Sequence, residues 1–203
     1  MILAHHAVFA TYGFWLPNEQ RGSWSTEVWA EHLKPFGPAT KTSERRSLAR
    51  RPFDRKLRKE ARETLLYRAV EFNEKQRNAV ASGFGEIIAK INLHVLACAA
   101  MPDHIHIVTI PHKLSIEDVV GYLKRAGTRK LNALDLHPLK EFAKRDGSIP
   151  TPWVENGWNR FLNDWRAVKD AIDYVERNPL KIGLPRQTWS FVEPLDKYRP
   201  RPT

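Results

Sequence analysis

Met101-Pro102-Asp103-His104-Ile105-His106-Ile107-Val108 decides how this chain is read. It runs a turn into an apolar segment, the pattern of a buried β-strand. Successive side chains of a strand point to opposite faces, so residues i and i+2 share one. His104 and His106 therefore point one way, and Ile105 and Ile107 point the other way, into the core. Two imidazoles side by side on a rigid strand can hold a divalent cation, and a cation on a sheet surface can polarise a phosphodiester. A His-x-His pair alone is more often structural, so further groups must support that chemistry.

Outward from the strand, Glu86 to Ala99 reads as the preceding strand, and the short gap pairs it antiparallel with His104 to Pro111. Ala4 to Tyr12 reads as the first strand, and Gly13 to Trp24 as an aromatic-anchored loop. Leu57 to about Ser82 reads as one helix with an apolar stripe from Ala61 to Val80. Ser115 caps a second helix running to about Leu136, with Glu117 and Asp118 in its first turn. His137 to Trp165 reads as loop. Arg166 to Arg177 reads as a third helix stopped by Asn178-Pro179. This order suggests an α+β fold: an antiparallel sheet with helices on one face and the other face free for a ligand. One domain spans residues 1–184, with a basic insertion at about 35–58. An extended tail occupies residues 185–203.

The chain has 203 residues and a net charge of +10, which points to a polyanionic partner such as nucleic acid. Nine basic residues crowd Lys41 to Lys59, among them Arg45, Arg46, Arg50 and Arg51. Lys124, Arg125, Arg129 and Lys130 lie on the second helix. Both groups are read as contacts to DNA phosphates, against the plainer reading of solvated faces. The single cysteine, Cys98, excludes a disulfide and a multi-cysteine zinc site; it reads as a small buried hydrophobe. No secretory leader or membrane-spanning run is legible, which makes the cytoplasm the expected location and a membrane an unexpected partner.

Tyr174 and Asn178 stand four residues apart on the third helix and so share a face. Asn178 offers an amide oxygen suited to Mg²⁺ or Mn²⁺. One short helix would then bring a phenol and a third ligand to the histidine pair. The plainer readings are a core-edge tyrosine and an ordinary helix stop. His5, His6 and His94 are read as core or sheet-surface residues, with a place for His5 or His6 near the cation as the less favoured alternative. Trp15, Trp24, Trp153, Trp158 and Trp165 are read as anchors, with one or two placed to stack unpaired bases.

His104-Ile105-His106 followed by a helical tyrosine resembles the HUH single-tyrosine transposases of the IS200/IS605 type. Tyr174-Val175-Glu176-Arg177-Asn178-Pro179-Leu180-Lys181-Ile182-Gly183-Leu184 resembles the signature of their REP-associated branch. Tyr12-Gly13-Phe14-Trp15-Leu16-Pro17 and Arg21-Gly22-Ser23-Trp24 are similar to the openings of IS200-like members. The resemblance spans roughly Ala4 to Leu184. It implies a ferredoxin-like sheet of the HUH nuclease kind and an enzyme that cuts and rejoins single-stranded DNA. On this carry-over Tyr174 is the nucleophile and forms a 5′-phosphotyrosine. His104 and His106 bind Mg²⁺ or Mn²⁺, and Asn178 is the third ligand. The family usually has glutamine where this chain has Asn178, and the REP-associated branch favours Asn-Pro there. The implied partner is single-stranded DNA bearing REP-like hairpins or transposon ends, bound by a monomer or a homodimer.

Three other readings compete. A catalytically silent or domesticated hairpin-binding protein would need no intact His104, His106 and Tyr174. A histidine-triad hydrolase would need a third alternating histidine where Val108 stands. An RNA-binding ferredoxin-like sheet would show exposed aromatics on the central strand, and His104 to Pro111 has none.

Overall fold

A computed structural model describes residues 1–17, 27–28, 30–39 and 54–198. Four strands form one sheet: β1 (Ala4–Thr11), β2 (Val95–Ala100), β3 (His104–Thr109) and β4 (Trp153–Leu162). Their order is β2-β3-β1-β4, and every neighbouring pair is antiparallel. The helices are α1 (Arg55–Glu63), α2 (Glu74–Ile91), α3 (Ile116–Ala133) and α4 (Trp165–Lys181). The run β1-α2-β2-β3-α3-β4 is a ferredoxin-like unit, as the sequence suggested.

Alternation along the strands divides the molecule into two cores. Ala7, Phe9, Ile105 and Ile107 join one, with Phe84 of α2 and Leu123 of α3. Ala4, Val108 and Leu162 join the other, with Val168, Ile172 and Val175 of α4. Helices on one face therefore describe α2 and α3. The sheet is buried on both sides because α4 crosses the second face. Each fully buried Phe, Leu or Ile contributes about 1.5–3 kcal/mol, so both faces hold the sheet strongly.

Several expected boundaries move, each for a local reason. The helix expected over Leu57 to Ser82 is two helices. Asn73 starts α2 with a capping box: its side chain accepts from the Gln76 N–H, and the Gln76 side chain accepts from the Asn73 N–H. The intervening segment is extended; Val70 N–H donates to the Tyr12 carbonyl (2.9 Å) and Phe72 N–H to the Pro102 carbonyl (2.7 Å). The strand expected from Glu86 is the last part of α2, which ends at Asn92 in the left-handed region (φ 56°). Only Val95–Ala100 is strand.

The expected loop from His137 to Trp165 contains β4. Its register runs from Ala4 opposite Leu162 to Thr11 opposite Trp153. β4 is an edge strand with mostly exposed or half-buried residues, so it lacks the apolar alternation that marks a strand in sequence. α4 also runs past the expected stop at Asn178, with Pro179 inside it. In its last turn a proline forfeits only one helical bond, which shortens its reach as a breaker.

The segment after Gly183 runs along β2 and closes with a 3-10 turn, Leu195–Lys197. Gln187 pairs its side chain with both the N–H and the carbonyl of Ala100. Trp189 donates its indole N–H to the Cys98 carbonyl (3.1 Å), and Glu193 N–H donates to the Val95 carbonyl (2.8 Å). These bonds satisfy edge groups that β2 would otherwise expose. Cys98 is buried, and burial pushes its thiol up to about 12, in keeping with a packing role. Among the described residues no helix is long and apolar enough to cross a membrane.

α2 and α3 touch at Gly83, where an added Cβ would lie 2.6 Å from the Ala126 carbonyl oxygen. At Gly85 the nearest atom to such a Cβ is 3.4 Å away, on Phe191. Gly83→Ala should therefore destabilise the protein by about 1–3 kcal/mol. Gly85→Ala should be neutral or stabilising by up to about 1 kcal/mol. Urea unfolding of the two variants beside the wild type measures both; equal effects would remove the close helix approach.

Candidate active site

β3 carries His104 and His106 on the face that α4 covers. His106 is buried and His104 half-buried. The pairing of β1 with β3 sets His6 opposite Val108 and Val8 opposite His106, so His6 and His106 are diagonal neighbours on one face. Their rings meet: His6 Nε2 lies 3.1 Å from His106 Nδ1, and His104 Nε2 lies 3.0 Å from His106 Nε2. At the outer end, His104 Nδ1 lies 2.7 Å from Asp103 Oδ1.

One proton arrangement satisfies this chain. A carboxylate only accepts, so His104 donates through Nδ1 and its Nε2 is left as an acceptor. His106 then donates through Nε2 and accepts at Nδ1 from His6. Burial holds the inner rings neutral. It pushes His6 down to about 4, helped by the charge of Arg160. It also holds His106 well below the ordinary imidazole range, helped by His104, His6 and Lys181.

α4 begins at Asp164, whose carboxylate accepts from the Ala167 N–H (2.8 Å). Val168, Ile172 and Val175 bury one stripe of the helix. The adjacent stripe carries Arg166, Asp170 and Tyr174, each one turn apart. It faces a cleft of about 480 Å³, floored by His6 and His106 and walled by Trp158 and Arg160 of β4. The exposed Tyr174 ring lies 5.4 Å from that of His106 and 6.1 Å from that of His6, centre to centre. The Lys181 ammonium sits 4.1 Å from the centre of the Tyr174 ring, close enough for a cation–π contact.

The structure thus brings together His104, His106 and Tyr174. Asn178 is on α4, buried, with an Nδ2 that lacks a hydrogen-bond partner, and no hydrogen bond joins it to either histidine. Among the described residues no group of three or more His, Cys, Asp or Glu side chains forms a metal-holding arrangement. The His104 and His106 Nε2 atoms nonetheless fit a cation: two ligands at right angles about 2.1 Å from an octahedral ion lie about 3.0 Å apart.

The basic residues of α3 occupy the other face of the sheet. Lys124 is engaged by the carbonyls of Val154 and Glu155 (2.8 and 2.9 Å) and serves as a tether for β4. Lys130 pairs with Glu86 (2.6 Å), Arg125 stacks on Tyr122, and Arg129 is exposed. Arg45, Arg46, Arg50 and Arg51 lie outside the described residues.

Sequence reasoning placed His6 near the cation only as the less favoured alternative and did not single out Lys181. The signal for His6 was present: Phe9 must face the core, and strand parity then puts His6 on the opposite side. Lys181 was hidden by the expectation that the helix stops before Pro179.

The segment that holds the two histidines is the one that a known family matches. Residues 64–146 match the family "Transposase IS200 like". The matched segment contains β2, β3 and α3 and ends before Tyr174. No curated protein matches the chain. Among solved structures, the chain is similar to a REP-associated tyrosine transposase bound to a REP hairpin (TM-score 0.46, 11% identity). That similarity covers 93% of this chain and 74% of the other. A second similarity is to a chain assigned as a transposase from Deinococcus radiodurans R1 (TM-score 0.41, 12% identity, 87% and 91% covered).

The buried neutral histidines make stability depend on pH. Unfolded histidine protonates near pH 6.5, whereas His6 in the fold resists protonation down to about 4. The unfolded chain therefore binds more protons between these values, and stability falls as pH drops through that window. His6→Gln should flatten this fall in melting temperature between pH 7 and pH 4.5. An unchanged slope would mean that His6 is not buried neutral.

Proposed function

We propose that this chain is a single-tyrosine transposase that cleaves and rejoins single-stranded DNA, with Tyr174 as the nucleophile. The observation that carries the reading is the Tyr174 ring standing 5.4 Å from His106 across a cleft open to solvent. The IS200-like match of residues 64–146 and the +10 charge support it.

Among the described residues Tyr174 is the one hydroxyl-bearing side chain in the cleft wall, and its exposure leaves the oxygen accessible to a phosphodiester. The phenol oxygen bonds to phosphorus, the bond from phosphorus to the 3′-oxygen breaks, and that oxygen takes a proton as it leaves. The 5′-phosphate remains on Tyr174 as a phosphotyrosine ester. A 3′-hydroxyl then attacks the phosphorus, restores a phosphodiester and returns the tyrosine with its proton. The ester conserves the bond energy, so joining needs no nucleotide triphosphate. Lys181 supplies a positive charge beside the ring where negative charge develops.

His104 and His106 would hold a divalent cation, Mg²⁺ or Mn²⁺, through their Nε2 atoms, with the His106 proton then on Nδ1 and accepted by His6 Nε2. Asn178, one turn beyond Tyr174 on α4, would supply an oxygen ligand, as the branch resemblance implies. The ion would draw charge from the phosphate oxygens. The imidazoles are suited to this because burial keeps His106 unprotonated at neutral pH, and a metal takes a neutral imidazole. Asp103 orients His104 by accepting from its other nitrogen (2.7 Å).

The partner of this reading is DNA carrying an unpaired strand beside a hairpin, of the REP-like or transposon-end kind, as the branch resemblance implies. Arg45, Arg46, Arg50 and Arg51, with Arg125 and Arg129, are the proposed sequence-independent contacts to its backbone.

The deciding experiment mixes the protein with Mn²⁺ and labelled single-stranded DNA bearing the hairpin repeat that flanks its gene. On a denaturing gel the wild type should give a protein–DNA adduct. Tyr174→Phe should give none while binding the hairpin almost as tightly, because only the attacking oxygen is lost. Binding and cleavage lost in equal measure would remove Tyr174 as nucleophile, and tight binding with no adduct under any metal would favour a hairpin-binding protein. His106→Ala should raise the Mn²⁺ needed for half-maximal adduct by about 100-fold or more, the upper end of what losing a supporting partner costs. An unchanged Mn²⁺ titration would take His106 out of the site.

A further inference from the structure

The cleft beside Tyr174 is longer than phosphoryl transfer requires. Trp158 and Arg160 stand two residues apart on β4 and face the same way as His6. Opposite them run Arg166, Asp170 and Tyr174, spaced by four along α4. One wall is a strand row and the other a helix stripe, with Tyr174 at one end and Arg166 near the helix start. Trp158 is half-buried, and its ring is held against His6 at 5.5 Å and 75°. Arg160 and Arg166 are exposed and form no ion pair among the described residues. The cleft of about 480 Å³ thus holds an aromatic surface, two cations and two carboxylates; Asp164 caps α4, which leaves Asp170 as the acceptor in a combination that holds an unpaired nucleotide.

We propose that this cleft is a subsite for one unpaired nucleotide of the DNA strand, next to the phosphate attacked by Tyr174. Its base stacks on the Trp158 indole, and its flanking phosphates lie against Arg160 and Arg166. Asp170 faces the base and accepts from a ring or exocyclic N–H, because a carboxylate would repel a phosphate. The proposal rests on the reading above in placing the scissile phosphate at Tyr174. It adds that the nucleotide beside that phosphate must be unstacked and single-stranded. A duplex cannot place one base against Trp158 without breaking its own stack, so the cleft selects against paired DNA.

The test uses the full chain, EDTA and a trinucleotide with 2-aminopurine at its centre, so that neither cleavage nor a hairpin grip contributes. Stacking on Trp158 should quench the 2-aminopurine fluorescence. Trp158→Ala should weaken binding by about 5- to 150-fold and abolish the quenching. Trp158→Phe keeps an aromatic ring beside His6 and should retain part of both, which guards against a folding defect in the alanine variant. Arg160→Gln with Arg166→Gln should lower the slope of log affinity against log salt by about 1.4, the loss of two single-strand phosphate contacts. Lys75→Gln with Lys90→Gln, exposed on α2 on the opposite face of the sheet, should leave trinucleotide binding unchanged.

Wild-type quenching in Trp158→Ala, or an unchanged salt slope in the double cleft variant, would overturn the subsite. So would equal loss from the α2 lysine pair, which would mark diffuse attraction to a basic surface. The two readings fail separately. Trinucleotide binding at Trp158 without any Tyr174 adduct would keep the subsite and sink the chemistry. A Tyr174 adduct formed at an unchanged rate and KM in Trp158→Ala would do the reverse.

Discussion

The structure depends on one constraint: the sheet is buried on both faces, so every residue of β3 must suit one of two different interiors. Ile105 and Ile107 enter the core beneath α2 and α3. Val108 enters the core beneath α4, and His106 lies on that same side. A slip of one residue in the β1–β3 register would place imidazoles in the first core and isoleucines in the cleft. The apolar residues thus fix where the histidines stand, and the histidines are held rigidly because the isoleucines cannot move.

That rigidity shapes the electrostatics. His106 bonds through both ring nitrogens, to His6 and to His104. Burial keeps His6 and His106 neutral at neutral pH, and a neutral imidazole can offer a lone pair to a cation once its proton sits on the other ring nitrogen. The same burial makes the protein sensitive to acid.

α4 completes the site from the other direction. Its buried stripe of Val168, Ile172 and Val175 anchors it to the sheet, and its neighbouring stripe presents Tyr174 to the cleft. The helix continues through Pro179 to Lys181, which places the Lys181 ammonium beside the Tyr174 ring. Had the helix ended before the proline, this cation would have no fixed relation to the phenol. The tail after Gly183 then folds back along β2 and satisfies its outer edge.

Much of this was legible in the residues. Strand alternation placed His104 and His106 on one face, Ser115 marked the start of α3, and the helical spacing paired Tyr174 with Asn178. These are local rules, set by backbone geometry within a few residues. The missing parts were non-local or locally ambiguous. β4 has weak alternation and exists because β1 offers it an unpaired edge. The break between α1 and α2 depends on Asn73 capping one helix while Val70 and Phe72 bond to distant carbonyls. His6 joins the site only through the β1–β3 register, and Trp158 and Arg160 only through β1–β4. The sequence by itself determined which side chains share a face of each element. Tertiary structure alone decided which faces meet, because strand register and helix docking are settled by the packing of residues far apart in the chain.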